Sequence, residues 1–587
     1  QGCYRSSFLV AKLRQACHLQ AVIFIMAAWW SLGRRRHGLL SVAALLLSFL
    51  ATGVMAEEEE EAPSPVAISI SVMLLGNIGF QMMLFYLVNW PDPDIRRYSW
   101  KVISDTISIF CAVLLFQACN GVVEDYVMKG GTEMWEVMVD IMQLVFWLTS
   151  LQIVLALASG AVQELIGGAE PELEKVKLNL KSWSVLFAHL SGFSSINAWG
   201  SVQQKLLNGS PAMALLAVPL GFFGLWGTFH GWDKIRQYIS TMDDGEEDEF
   251  EVLWDEFTEE AENDVAGLSL SFLTVQALRF HLGGFLPNQE GGETKEQEVS
   301  HMGEQWHHLL LSSIVFFILS MIPLLLEQRM EPEEGTLALR AIEFLNNYFN
   351  FGTAWCCFYG TKWYIASLQL FTQEALLLVV IALFLSAASF SFIFVLDKIE
   401  DNHVFGKDSE MTEEVVEKLI AALAMLIGFS WEQCFDTAVS VVAASTRESC
   451  PPAICKLILS MVLVAIVFPA WRVYILPTES ELSEETDESM IIKKLVTEHK
   501  DMFSNPECDE HRLDLAHLQM KSHRRKVLDL PIPGHDPHAD LSHLKHMRVT
   551  GKGVVMMEPP PKKEHHHGHG HKKKRTIKQD LEESLLG

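Results

Sequence analysis

Positive charge is scarce in this chain relative to negative charge. Its 587 residues hold 45 Lys and Arg against 73 Asp and Glu, a formal charge of -28. From Asp243 to Asp264 there are thirteen acids and no base, and Glu57 to Glu61 are five acids in a row. Nucleic-acid binding needs clustered basic side chains to displace phosphate counterions, so it finds no support. No apolar stretch carries a base at every third position, which excludes a voltage sensor. The ten cysteines are scattered through a long chain, which argues against a disulfide scaffold. Only Cys450 and Cys455 lie together in a loop, and the two prolines between them disfavour a bridge. Phosphate-binding, dinucleotide-binding, nucleophile-elbow and H-E-x-x-H patterns are missing, as are the intramembrane H-D and GxGD patterns of some proteases. An enzyme is therefore not expected, nor any cofactor, and no segment carries a recognised family signature.

What the chain has in abundance is apolar runs. Residues 66–90, 102–122, 134–158, 183–202, 212–232, 268–286, 309–326, 339–359, 375–396, 419–443 and 454–476 are each mostly apolar. A helix rises 1.5 Å per residue, and roughly 20 residues cross the ~30 Å hydrocarbon core of a bilayer. The expected fold class is all-α: a polytopic transmembrane bundle of about eleven spans in a lipid bilayer.

Residues 1–25 precede the first Met and read as an upstream or artefactual segment. Residues 26–56 read as a cleavable signal peptide: Arg34, Arg35 and Arg36, a short apolar region, then Val54-Met55-Ala56 before the acids. A cleaved signal puts Glu57 outside or in a lumen. Span one then delivers Arg96, Arg97 and Lys101 to the cytosol, and later basic loops alternate in agreement. The expected divisions are a first membrane half at 57–239, an acidic cytosolic loop with connector span and outer loop at 240–306, a second half at 307–477, and a cytosolic, largely disordered tail at 478–587. The expected location is a secretory-pathway membrane, plasma or endomembrane, with a cytosolic C-terminus. The sequon at Asn208 falls in an outside loop, although Pro211 follows it. Phe250, Leu253, Trp254 and Phe257 recur at helical spacing in the acidic stretch, which is either an amphipathic helix or a solvated linker.

Two short matches relate each span to the one six later. Leu190-Ser191-Gly192-Phe193-Ser194 in span four resembles Leu426-Ile427-Gly428-Phe429-Ser430 in span ten. Ser104, Asp105, Ser108 and Cys111 in span two share the spacing of Asn346, Asn347, Asn350 and Thr353 in span eight. An even offset preserves direction, so two parallel five-span repeats joined by span six would follow. The even-numbered spans are the polar ones. Charged and amide groups are expensive to expose to lipid, so those spans are expected to form the inner layer and the odd ones the lipid-facing layer.

Glu432 and Asp436 in span ten lie four apart, on one helical face, and form the candidate ion or proton site. Glu343, Asn347, Asn350 and Thr353 make a stripe on span eight, which either lines a route or joins helices by hydrogen bonds. Asp105 and Arg279 are further candidates for a pathway lining, Arg279 as a counter-ion to Glu432 or Asp436. Glu136 and Asp140 form a four-apart pair expected at the interface, and His189 is expected to be a hydrogen-bonded buried residue. In the tail, His565, His566, His567, His569 and His571 are candidate metal ligands, or an incidental low-complexity tract. The basic quartet after them suits anionic lipid head groups. The expected function is a transporter or channel for a small cation or polar solute. The alternative is a non-transporting receptor or scaffold that presents the acidic loop and tail to cytosolic protein partners.

Overall fold

The computed structural model describes residues 65–161, 173–242, 248–294, 305–330, 332, 336–369, 373–401, 409–446, 450–483, 547–550 and 553–556. These form eleven long helices and one short hairpin. The helices are α1 Pro65–Val88, α2 Pro93–Val123, α3 Glu133–Ser159, α4 Leu173–Leu206 and α5 Ala217–Ser240, the last preceded by one turn at Pro211–Leu215. They continue as α6 Glu249–Gly283, α7 Trp306–Met330, α8 Leu337–Ser367, α9 Glu374–Asp401, α10 Ser409–Ser445 and α11 Pro452–Ala470. Eight of the helical segments are long and apolar enough to cross a membrane. Of the rest, the α4 and α8 segments are too polar to join them and α1 contributes a shorter apolar stretch.

Local signals set the helix ends. Asp92 accepts from the Asp94 amide before Pro93 opens α2, and Thr132 accepts from Trp135 at the start of α3. Asp248 and Glu251 form a reciprocal capping box at the start of α6. Gly160 and Gly284 stop α3 and α6 in the left-handed conformation.

The five even-numbered helices pack side by side in a closed ring, in the order α2, α4, α6, α8, α10 and back to α2. α6 and α8 run parallel, since their contacts climb in step: Asn263 to Glu343, Phe272 to Trp355, Arg279 to Tyr359. The odd helices pack outside the ring, α1 and α11 on α2, α3 on α4, α5 on α6, α7 on α8 and α9 on α10. Large apolar side chains exposed on the surface belong mainly to this outer layer, among them Phe85, Phe146, Phe223, Ile318 and Ile466. An apolar belt of that extent on a helical bundle suits lipid rather than water. The fold is compatible with a membrane protein, and the layering expected from the polarity of the spans is present.

The acidic stretch is not a loop. Residues 249–264 are the first half of α6, continuous with the apolar second half. Leu253 and Trp254 are buried against Leu151, Leu155, Val176 and Leu180, so the apolar face covers α3 and α4 rather than an external partner. Cys450 and Cys455 are free thiols, and Cys455 accepts from the Thr446 hydroxyl.

The second unit, Ser480–Gly587, contributes a four-residue antiparallel pair, β1 Met547–Thr550 with β2 Gly553–Met556. The helices bear out the all-α fold class, and this small hairpin is the one strand pairing among the described residues. The proposed upstream segment, signal peptide, histidine tract and basic quartet lie outside the described residues.

Candidate functional site

The ring encloses an aromatic centre. Gly192 and Gly428 let their helices approach closely, since a Cβ there would lie 2.7 Å from Leu268 Cδ2 and 2.8 Å from Ile109 Cδ1. The residues that follow, Phe193 and Phe429, meet with ring centroids 5.3 Å apart, although α4 and α10 are not ring neighbours. Phe429 also contacts Trp355 at 3.9 Å, and Trp355 contacts Phe272 at 4.9 Å. One continuous apolar cluster thus draws side chains from all five even helices and fills the middle of the ring. Polar layers lie on either side of it.

Toward the carboxyl ends of the even helices, Glu432 sits one turn beyond Phe429. It is 0 % exposed; Oε2 accepts from Gln433 at 2.9 Å, and Oε1 has no hydrogen-bond partner. Asp436, one turn further on, pairs with Lys456 of α11 at 2.7 Å. The Gln117 amide, oriented with its nitrogen toward α10, donates to both Asp436 oxygens at 2.6 and 2.8 Å. The two carboxylates therefore share a region but not an environment: Asp436 is held on both oxygens by a base and an amide, while Glu432 has an amide on one oxygen only and no base. Buried acceptors normally find donors, so the bare Glu432 oxygen marks a place where a ligand would be favoured.

Arg279 does not neutralise either carboxylate. It bonds Glu293, donates to the Gly291 carbonyl at 3.0 Å and to Gln276 at 2.7 Å, and stacks on the Tyr359 ring at 3.6 Å. Trp363 Nε1 also donates to Glu293, at 3.0 and 3.2 Å. These bonds fold the loop after α6 back over the carboxyl end of the ring. Gly291 is required there: its φ is +84°, and a Cβ would meet the Tyr359 hydroxyl at 2.1 Å. In the same loop, Glu290 lies within electrostatic reach of Glu124, Asp436, Asp140 and Lys456. Glu290 is exposed to solvent at this end of the bundle. Desolvation by the surrounding protein, and then the Glu124 and Asp436 carboxylates, push its carboxyl up to about 7.

Toward the amino ends, Asp264 accepts from Asn347 at 2.8 Å, and Glu343 accepts from Asn263 at 3.0 Å. Asp105, Glu260, Glu343 and Lys418 all act electrostatically on Asp264, so Asp105 does join this layer. The stripe on α8 is divided. Glu343 and Asn347 face α6, Asn350 donates to Asn346 within α8, and Thr353 bonds the Phe349 carbonyl. Its polar groups are thus bonded to helices rather than aligned along one open face.

A second face of α6 carries a buried ionic cluster. Glu262, 0 % exposed, accepts from Gln152 at 2.8 Å, Arg236 at 3.0 Å and Arg340 at 2.5 Å. Arg236 also bonds Asp255 at 2.7 Å, and Arg340 bonds Glu259 at 2.8 Å. This joins α3, α5, α6 and α8.

The expected interfacial pair separates as well. Glu136 bonds Lys205 at 2.7 Å, whereas Asp140 is buried and accepts from Asn197 at 2.8 Å. His189 is buried with Nδ1 on the Val185 carbonyl at 2.9 Å, as expected. Asn208 is exposed in the turn between α4 and α5, where Ser210 caps the following helical turn. The histidines at 565–571 lie outside the described residues.

The residues that sequence reasoning overlooked are Asp264, Glu262, Glu290 and Glu293. The first two were assigned to a loop by their acidity; Glu293 gains meaning only from Arg279 and Trp363, and Glu290 only from Glu124, Asp140 and Asp436. Comparison of the chain with protein-family models, with curated proteins and with solved structures gives no match.

Proposed function

We propose that the protein moves a small cation across a membrane, as a carrier or channel. The observation that carries this reading is Glu432, a fully buried carboxylate with an unpartnered oxygen, set one turn from the apolar centre of a ring of polar helices. Acids exceed bases in both polar layers. Glu124, Asp140, Glu290, Glu432 and Asp436 lie on one side, with Lys205 and Lys456; Asp105, Glu260, Asp264 and Glu343 lie on the other, with Lys101, Lys181 and Lys418. Such layers favour cations over anions. The aromatic centre then acts as the closed barrier between them, as apolar constrictions do in gated pores.

In this reading eleven helices cross the bilayer and the tail is cytosolic, as the alternation of basic loops supports. The meeting of Phe193 with Phe429 supports two parallel repeats, because matching residues of such repeats converge on their common axis. α6 would then be the inserted connector. Ion flux into vesicles that carry the purified full-length protein tests the reading. Glu432→Gln with Asp436→Asn is expected to abolish cation flux with expression unchanged. Wild-type flux in that variant rejects the site.

One observation favours the second reading, a receptor or scaffold: the centre of the ring is solid. If neither the wild type nor variants that remove the aromatic side chains conduct Na⁺, K⁺, H⁺ or Ca²⁺, the scaffold reading replaces transport.

A further inference from the structure

A second concentration of bare, buried oxygen lies between α2, α3 and α4. Asp140 is 1 % exposed and its Oδ2 has no hydrogen-bond partner; Asn197 is 2 % exposed and its Oδ1 has none either. The two side chains touch directly. Asn197 Nδ2 donates to Asp140 Oδ1 at 2.8 Å and to Asn120 Oδ1 at 3.4 Å. The Ser201 hydroxyl lies within hydrogen-bonding reach of the Asp140 carboxyl, but its proton is directed to Gln289 at 3.3 Å. Asn120 in turn donates to Glu124 at 2.9 Å. Lys205, which acts on Asp140 from a distance, is bonded to Glu136 instead.

Leaving a buried acceptor without a donor costs about 1–3 kcal/mol, and more when the acceptor is charged. Two such oxygens on directly bonded partners, one of them a carboxylate, are unfavourable without a positive partner and suit a cation. Every atom offered is oxygen, which selects hard cations over zinc or copper. Asp140 is the one carboxylate in the set; Glu124 acts on it from a distance and is bonded by Asn120. That low charge suits a monovalent ion, since Ca²⁺ sites generally gather more carboxylates.

We propose that Asp140, Asn197, Asn120 and Ser201 form a binding site for a dehydrated monovalent cation, with Na⁺ as the ion to test. The site is separate from Glu432 and binds its ion whether or not the protein transports one.

The experiment follows thermal unfolding of the purified full-length protein in detergent as NaCl replaces choline chloride at constant ionic strength. A saturable rise in unfolding temperature with Na⁺ is expected, as mass action requires of a ligand that binds only the folded state. Asp140→Asn is expected to remove the rise, and Ser201→Ala to weaken the apparent affinity by roughly tenfold. Glu432→Gln is expected to keep it. The proposal is overturned if Na⁺ gives no saturable shift beyond choline, if both site variants retain wild-type Na⁺ dependence, or if Ca²⁺ alone stabilises. Should Asp140→Asn fail to fold, Ser201→Ala decides. A Na⁺ shift in a protein that shows no flux upholds this site and removes the transport reading instead.

Discussion

Phe193 and Phe429 hold the same place in two Gly-Phe-Ser motifs far apart in the chain, and their rings meet across the middle of the helix ring. In each motif the glycine allows a neighbouring helix to approach, and the phenylalanine fills the space between helices that do not otherwise adjoin. The motif is therefore legible as packing: small residue toward the wall, large residue toward the centre.

Removing those rings is expected to open the barrier. Phe193→Ala with Phe429→Ala should raise passive cation conductance in vesicles at least tenfold, while the Leu counterparts change it little. Each Phe→Ala change also destabilises by about 3–5 kcal/mol, so folding is checked by gel filtration and unfolding temperature. A folded double-Ala protein with wild-type conductance refutes the barrier role.

Much of the fold was readable because lipid solubility is a property of composition. All eleven helices fall where apolar runs were expected, and polarity alone separated the inner helices from the outer ones. The acidic stretch misled for a definite reason. Its counter-ions, Arg236 and Arg340, come from other helices, so residues 243–264 viewed alone have too much charge to be buried. The same reason hid the true partner of Arg279. Its carboxylate, Glu293, lies beyond the end of α6 in a loop, and nothing in local spacing places it under Trp363 and beside Tyr359. Glu432 was legible as a charge inside an apolar run; its unpartnered oxygen was not.

The loop over the ring depends on Arg279. Arg279→Lys keeps the charge but loses the flat fork that serves Glu293, Gly291 and Gln276 together, along with the stack on Tyr359. Residues 287–293 are expected to exchange backbone hydrogen for deuterium at least tenfold faster in the variant, with α3 and α9 unchanged. Equal protection in both proteins would show that other bonds hold the loop.

Glu290 sets a pH dependence. Its folded carboxyl titrates near 7, against about 4.3 for an ordinary glutamate. Between those values the folded protein holds a proton that the unfolded chain has lost. The unfolded state thus binds fewer protons, and stability falls as pH rises through the window, with the loss complete above pH 7. The groups around it, Glu124 just after α2, Asp140 on α3, Asp436 on α10 and Lys456 on α11, sum to net negative charge, and that sum acts in the same direction. Glu290→Gln is expected to raise the unfolding temperature at pH 8 and to leave it unchanged at pH 4.5. Parallel pH curves for the two proteins would contradict this.

Glu262 is the residue whose loss should damage the fold most. It is wholly buried between two arginines, and each arginine keeps only one further strong carboxylate partner, Asp255 for Arg236 and Glu259 for Arg340. Removing the shared acid leaves part of two guanidinium charges uncompensated, which costs about 3–5 kcal/mol for a buried pair. Glu262→Gln preserves shape and hydrogen bonding to Gln152 but not charge, so its effect isolates the electrostatic part. Adding Arg340→Met removes one of the stranded cations, and because the exchanged groups are in contact the two changes should not be additive. The double variant is expected to unfold at a higher temperature than Glu262→Gln alone. If it unfolds lower, Arg340 contributes chiefly through Glu259 and its own packing, and Glu262 is not the hub of the cluster.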